Sequence, residues 1–173
     1  GHFHIDPDAQ IPAVLIAGGI GITPMMSMLR WCLDEQPARA VHLYYGVRQG
    51  GEQAFKPLLE QLARAHPNLH LNVVYSRPGG DGVLGRDYQH KGHIDIDLLR
   101  RTLPHGRHQF YVCGPAAMME SLVPAILHWG VPRQDLHYEA FGPASIRLGD
   151  TANAQPAAAV AEAGFAYRLD MQV

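Results

Sequence analysis

The 173-residue chain predicts a doubly wound α/β domain, a parallel sheet with helices on both faces. Three observations carry that prediction. Five short runs rich in β-branched and aromatic residues alternate with four stretches of helical periodicity, the pattern that builds right-handed βαβ units. The first run ends in glycines and passes directly into a helical stretch, VLIAGGIGITPMMSML. A later run does the same through Cys-Gly-Pro, in YVCGPAAMMESL.

The elements follow in order. Residues 13–17 (AVLIA) form the first strand, and residues 24–34 a helix with Met25, Met28, Leu29 and Cys32 on its apolar face. Residues 40–46 (AVHLYYG) are the second strand. The next helix covers residues 55–65, with Phe55, Leu58, Leu59 and Leu62 on one side. Residues 70–76 (HLNVVYS) are the third strand. Residues 77–93 (RPGGDGVLGRDYQHKGH) break the alternation, and their glycine, proline and charge predict an exposed excursion over the strand ends. A short helix at 97–103, a strand at 109–113 (QFYVC), a helix at 116–128 burying Met118, Leu122, Ala125 and Ile126, and a strand at 136–139 (LHYE) complete the series. The alanine-rich tail reads as a linker, and FAYRLDMQV at its end as the first strand of a further unit. The predicted division is a domain over 1–145, a linker over 146–164 and the start of a truncated C-terminal domain over 165–173.

Composition narrows the classes of function. Hydrophobic residues make up 47% and charged residues 17%, with a formal net charge of −2. That leaves no basic footprint for nucleic acid and no polybasic patch for a membrane surface. The longest apolar runs are too short to span a bilayer. Cys32 and Cys113 show no C-x-x-C spacing, so a reducing cytoplasm is the expected compartment. Of the eleven histidines, His42, His66, His70, His105, His108 and His128 stand singly, without H-E-x-x-H spacing. They are expected at the surface or in local hydrogen bonds rather than on a metal.

Chemistry concentrates at the strand ends. Gly18, Gly19 and Gly21 permit backbone conformations and close approaches that a Cβ forbids. Thr23 suits a helix N-cap and Pro24 the first helical position, so the helix would offer free N–H groups to a pyrophosphate. Pro24 also stands where the third glycine of G-x-G-x-x-G belongs, and a purely structural turn stays open as the alternative. Cys113, Gly114 and Pro115 end a later strand; all such turns of a parallel sheet share one edge, where ligands of α/β folds bind. Cys113 there is either a crevice residue or a small buried one. Ser76 and Arg77 could meet a ribose or a 2′-phosphate, or Arg77 could be solvated. Glu139 and Phe141 follow the last strand and would project into the same crevice, or cap and pack.

Together GGIGITPMMSMLR, YYGVR, YSRP, GHIDIDLL, YVCGPAAMM and HYEAFGP resemble, in content and order, the nicotinamide-binding domain of ferredoxin–NADP reductase-like flavin oxidoreductases, over roughly residues 1–145. The resemblance implies a five-stranded sheet of order 3-2-1-4-5 and an FAD-binding barrel upstream, whose R-x-Y-[ST] motif is not in this chain. It implies hydride transfer from nicotinamide C4 to flavin N5, with electrons then passing to an iron–sulfur or haem acceptor. By the same resemblance Gly19, Gly21, Thr23 and Pro24 lie along the pyrophosphate and nicotinamide. Ser76 and Arg77, helped by Arg48, meet the adenosine ribose or its 2′-phosphate, a lean towards NADPH. Cys113, Gly114 and Pro115 flank the nicotinamide, Glu139 sits nearby, and Phe141 covers part of the isoalloxazine. Without its FAD domain the isolated chain is expected to be inactive. The tail is placed like the start of a plant-type [2Fe–2S] domain in some members, whose C-x₄-C-x₂-C cysteines this chain lacks. A non-catalytic NAD(P)H-sensing module is the alternative, told apart by whether the barrel is encoded upstream.

Overall fold

The structure, a computed structural model, describes residues 3–7, 11–80 and 82–141. Strands β1 (Ala13–Gly18), β2 (Val41–Val47), β3 (Leu69–Tyr75), β4 (His90–Lys91), β5 (Gln109–Pro115) and β6 (Leu136–Phe141) alternate with helices α1 (Ile22–Glu35), α2 (Lys56–Ala65), α3 (Ile96–Thr102) and α4 (Ala116–Trp129). The strands form one sheet in the order β4-β3-β2-β1-β5-β6, and every pairing in it is parallel. The expected five strands keep their relative order, but the sheet has six. The addition is β4, inside the segment read as an excursion. Two residues are too few to show a strand pattern; the edge forms because Tyr88 stacks on Tyr75 at 4.5 Å and Gln89 Oε1 accepts from Val73 N–H at 2.7 Å.

Two apolar layers hold the sheet. On one face, Met25, Met28, Leu29 and Cys32 of α1 and Leu59 of α2 pack on Leu15, Leu43, Tyr45 and Tyr111. On the other, Leu98 and Leu99 of α3 and Met119, Leu122, Val123 and Ile126 of α4 pack on Val14, Ile16, Tyr44 and Val112. The α4 stripe thus uses Met119 and Val123; Met118 and Ala125 of the expected face are only partly buried. The central strands β1 and β5 are buried on both faces, which is why they read as unbroken apolar runs.

Arg39 closes the end of the sheet where the strands begin. Its buried guanidinium donates to Ile11 O at 2.8 Å, Asp6 O at 2.6 Å, Gln36 Oε1 at 2.9 Å and Gln109 Oε1 at 2.8 Å. A buried cation survives only with such a full set of acceptors. These bonds tie the segment before β1 to α1 and to the start of β5.

Candidate functional site

The strands end together on the opposite edge, and a cavity of about 610 Å³ opens there, well within the range of ligand sites. Each turn contributes a few residues. Gly18 and Gly19 come from β1, Gly46, Val47 and Arg48 from β2, Val74 and Ser76 from β3, and Pro115, Ala117 and Met118 from the passage of β5 into α4. Gly92, His93, Ile94 and Asp95, between β4 and α3, close the far wall together with Glu52.

The geometry of the first turn depends on absent side chains. Gly19 has φ +54°, in the left-handed region where a Cβ is strained. Gly21 lies so close to β5 that a Cβ would overlap the Cys113 carbonyl oxygen and stand 2.6 Å from its carbon. A Cβ at Gly18 would stand 2.7 Å from Met118 Sδ and 2.9 Å from Pro115 Cδ. The β1–α1 and β5–α4 turns are therefore in backbone contact, which joins the GGIG and CGP stretches into one floor.

The start of α1 differs from the expectation. A 3₁₀ turn at Gly19–Gly21 runs straight into the helix, whose N-cap is Gly21 without a side-chain bond. Thr23 and Pro24 are already inside the first turn, so Thr23 is not the N-cap and Pro24 is not the first helical residue. Pro24 is tolerated because N–H groups of the first turn have no intrahelical acceptor, and Thr23 Oγ1 turns back to donate to Ile20 O at 3.2 Å. Gly21, Thr23 and Pro24 are buried and support the floor from beneath. The helix start that lines the cavity is that of α4, through Ala117 and Met118.

Other expected residues divide clearly. Gly18, Gly19, Arg48, Ser76 and Pro115 line the cavity. Gly114 is buried behind it, where a Cβ would strike Met118 Cε. Arg77 is exposed and lies off the cavity wall. Cys113 and Glu139 are register partners on β5 and β6, buried on the floor rather than on the wall. Burial pushes the Cys113 thiol up to about 12, and the neighbouring Glu139 adds to it. Burial likewise raises the Glu139 carboxyl above its ordinary range. The side chain of Phe141 and the tail from residue 142 lie outside the described residues.

Reasoning from sequence missed the wall formed by Gly92–Asp95, and also Glu52, Met118 and Ser121. The GHIDIDLL stretch held the first of these, yet nothing local says that a loop after an edge strand folds back over β2. Arg48 is held in turn by Glu52, with Nε donating to Oε2 at 3.1 Å and Nη2 to Oε1 at 2.6 Å.

A parallel sheet with a glycine-floored cavity at the carboxyl ends of its strands defines a nucleotide-binding α/β domain. The chain belongs to the oxidoreductase NAD-binding domain family, whose model matches residues 15–123. It is 35% identical over 143 residues to a flavohemoprotein of Rhizobium meliloti, covering 83% of this chain and 35% of that protein. A flavohemoprotein of Halalkalibacterium halodurans is 35% identical over 144 residues, with 83% and 35% covered. The chain thus spans about a third of the length of these relatives. Among solved structures, the flavohem-like FAD/NAD-binding domain of nitric oxide dioxygenase from Vibrio cholerae superposes with TM-score 0.66 at 28% identity, covering 83% of this chain and 56% of that one. A cytochrome P450 reductase from Amycolatopsis gives TM-score 0.68 at 27% identity, with 80% and 40% covered. No described helix is long and apolar enough to cross a membrane.

Proposed function

We propose that this chain is the nicotinamide-binding module of a flavin-dependent reductase, working with an FAD-binding barrel of the same protein and passing electrons to a haem or iron–sulfur acceptor. The observation that carries the reading is the floor shared by the β1–α1 and β5–α4 turns under a cavity of about 610 Å³. The relatives support the wider setting, since they are flavohemoproteins and the similar solved domain is an FAD/NAD-binding one. A [2Fe–2S] unit after residue 165 belongs to the same proposal, as does the linker over 146–164.

When bound, the coenzyme supplies a hydride from nicotinamide C4 to flavin N5. The chain's residues bind and orient it. Gly18 and Gly19 let the backbone approach the pyrophosphate, and the first turn of α4 turns the positive end of its dipole towards it. Ser76 and Arg48, at the ends of β3 and β2, take the adenosine ribose. Gly21 and Gly114 bring β1 and β5 together, while Thr23 and Pro24 brace the turn. Cys113 stays a neutral thiol at this pKa, so it shapes the floor and is no nucleophile. Glu139 lies buried beside that floor, and its burial raises its carboxyl above the ordinary range.

The test is calorimetric titration of the chain with NADH, alongside Ala117→Asp. Ala117 is exposed at the start of α4, so an aspartate there suits the helix dipole yet repels a pyrophosphate. Affinity should fall about tenfold with unfolding unchanged. Undiminished binding by A117D would remove α4 from the site.

A further inference from the structure

We propose that Glu52 makes this cavity select NADH over NADPH, by occupying the guanidinium of Arg48 and setting a carboxylate where a 2′-phosphate would lie. The inference rests on the nicotinamide-binding reading and deepens it to the choice of coenzyme.

Among the described residues three charged side chains line the cavity, Arg48, Glu52 and Asp95, with His93 beside them. All belong to the end formed by β2, β3 and the β4–α3 connection, away from the glycine floor. Arg48 is the first residue after β2, and Glu52 closes a 3₁₀ turn, Gly50–Glu52, four residues further on. That spacing lets Glu52 take Nε and Nη2 together, the same fork with which arginine grips a phosphate. The second carboxylate, Asp95, caps α3 by accepting from Leu98 N–H at 2.8 Å. The lining therefore offers one cation, already matched, against two carboxylates.

A 2′-phosphate would carry roughly two negative charges into this end, where the one arginine lining it among the described residues is taken. NADH presents a 2′-hydroxyl instead, which donates to a carboxylate. Arg77, the residue that gave the sequence its lean towards NADPH, cannot restore the balance from its place off the wall. Its backbone N–H donates to Arg48 O at 2.8 Å, and Ser76 N–H to Val47 O at 3.0 Å. Those bonds fix the end of β3 against the end of β2 and leave Ser76, uncharged, facing the cavity. The Arg48–Glu52 pair is solvent-exposed, so its contribution to folding is small and Glu52 can be replaced without unfolding the domain.

The experiment is calorimetry on the whole chain at low ionic strength, with NADH, NADPH, 5′-AMP and 2′,5′-ADP as probes. The wild type should bind NADH and 5′-AMP about tenfold more tightly than their 2′-phosphorylated counterparts. Glu52→Gln should close most of that gap by freeing the arginine fork, and the double variant E52Q/R48M should lose the gain. Matching thermal unfolding of the three proteins shows that binding alone has changed. Wild-type binding of NADPH as tight as NADH, or an unchanged ratio in E52Q, overturns the inference while leaving the coenzyme site standing. Failure of all four probes to bind would overturn the nicotinamide-binding reading itself, and this inference with it.

Discussion

The two ends of the sheet each carry a large cavity, and they are built on opposite principles. At the carboxyl ends of the strands about 610 Å³ is floored by glycines and the first turn of a helix, with the charged pair Arg48 and Glu52 and the Gly92–Asp95 loop on its far side. At the amino ends about 690 Å³ lies among His42, His70, His105, His108, Asn72 and Thr102. The last residue of the seven-residue α3, Thr102, is part of its wall. His42 stacks on His70 at 4.6 Å and meets His108 edge-on at 5.9 Å. Of the histidines read as isolated, these three are gathered by the sheet, since His42 and His70 are register partners on β2 and β3. Among the described residues no group of three His, Cys, Asp or Glu is placed to hold a metal ion. Volume alone does not make a nucleotide site. The difference is backbone access and a helix start at one edge, against stacked imidazoles at the other.

The comparison breaks most visibly at Gly21. Gly21→Ala puts a Cβ into the Cys113 carbonyl, and backbone on both sides leaves nothing flexible to yield. Urea unfolding should show a loss of roughly 3 kcal/mol or more. Gly51→Ala, where a Cβ would meet nothing within 4 Å, should stay within about 0.5 kcal/mol of the wild type. Equal stabilities for the two variants would mean that the β1–α1 and β5–α4 turns do not touch.

At the other edge the sensitivity is to acid. Burial, with His70 and His108 adding, lowers His42 from its ordinary 6.5 to about 4. The unfolded chain therefore takes up a proton below pH 6.5 that the folded chain refuses. Stability is full above that pH and declines as pH falls towards 4. Burial also lowers His108 and His90, which act in the same direction. Between pH 7.5 and 4.5 the His42 contribution to the loss should be about 2 kcal/mol, and His42→Leu should flatten the profile without altering NADH affinity at pH 7.5. A wild-type profile as flat as that of the variant would contradict the buried neutral imidazole.

Most of the fold was legible because strand and helix periods are local. The five strands expected at 13–17, 40–46, 70–76, 109–113 and 136–139 begin within a residue of β1, β2, β3, β5 and β6. What escaped depends on tertiary contact. Nothing around His90–Lys91 has strand character until Tyr88 finds Tyr75. Thr23-Pro24 carries the signature of a helix start, but Gly19–Gly21 begins the turn earlier, with Gly21 lying so close to Cys113 that a Cβ there would overlap its carbonyl. The cavity lining was legible where glycine marks a strand end, at Gly18 and Gly19. It was not legible at Glu52, whose carboxylate meets the Arg48 fork only once the chain is folded.

The central claim is that the glycine-floored edge, and not the histidine-lined one, takes the nicotinamide coenzyme. Amide chemical-shift mapping of the ¹⁵N-labelled chain during titration with NADH tests it directly. Shifts should gather at Gly18, Gly19, Gly46, Ser76 and Met118, with His42, His70 and His108 unmoved. Shifts gathered instead on those histidines, or none at millimolar NADH, would contradict the account.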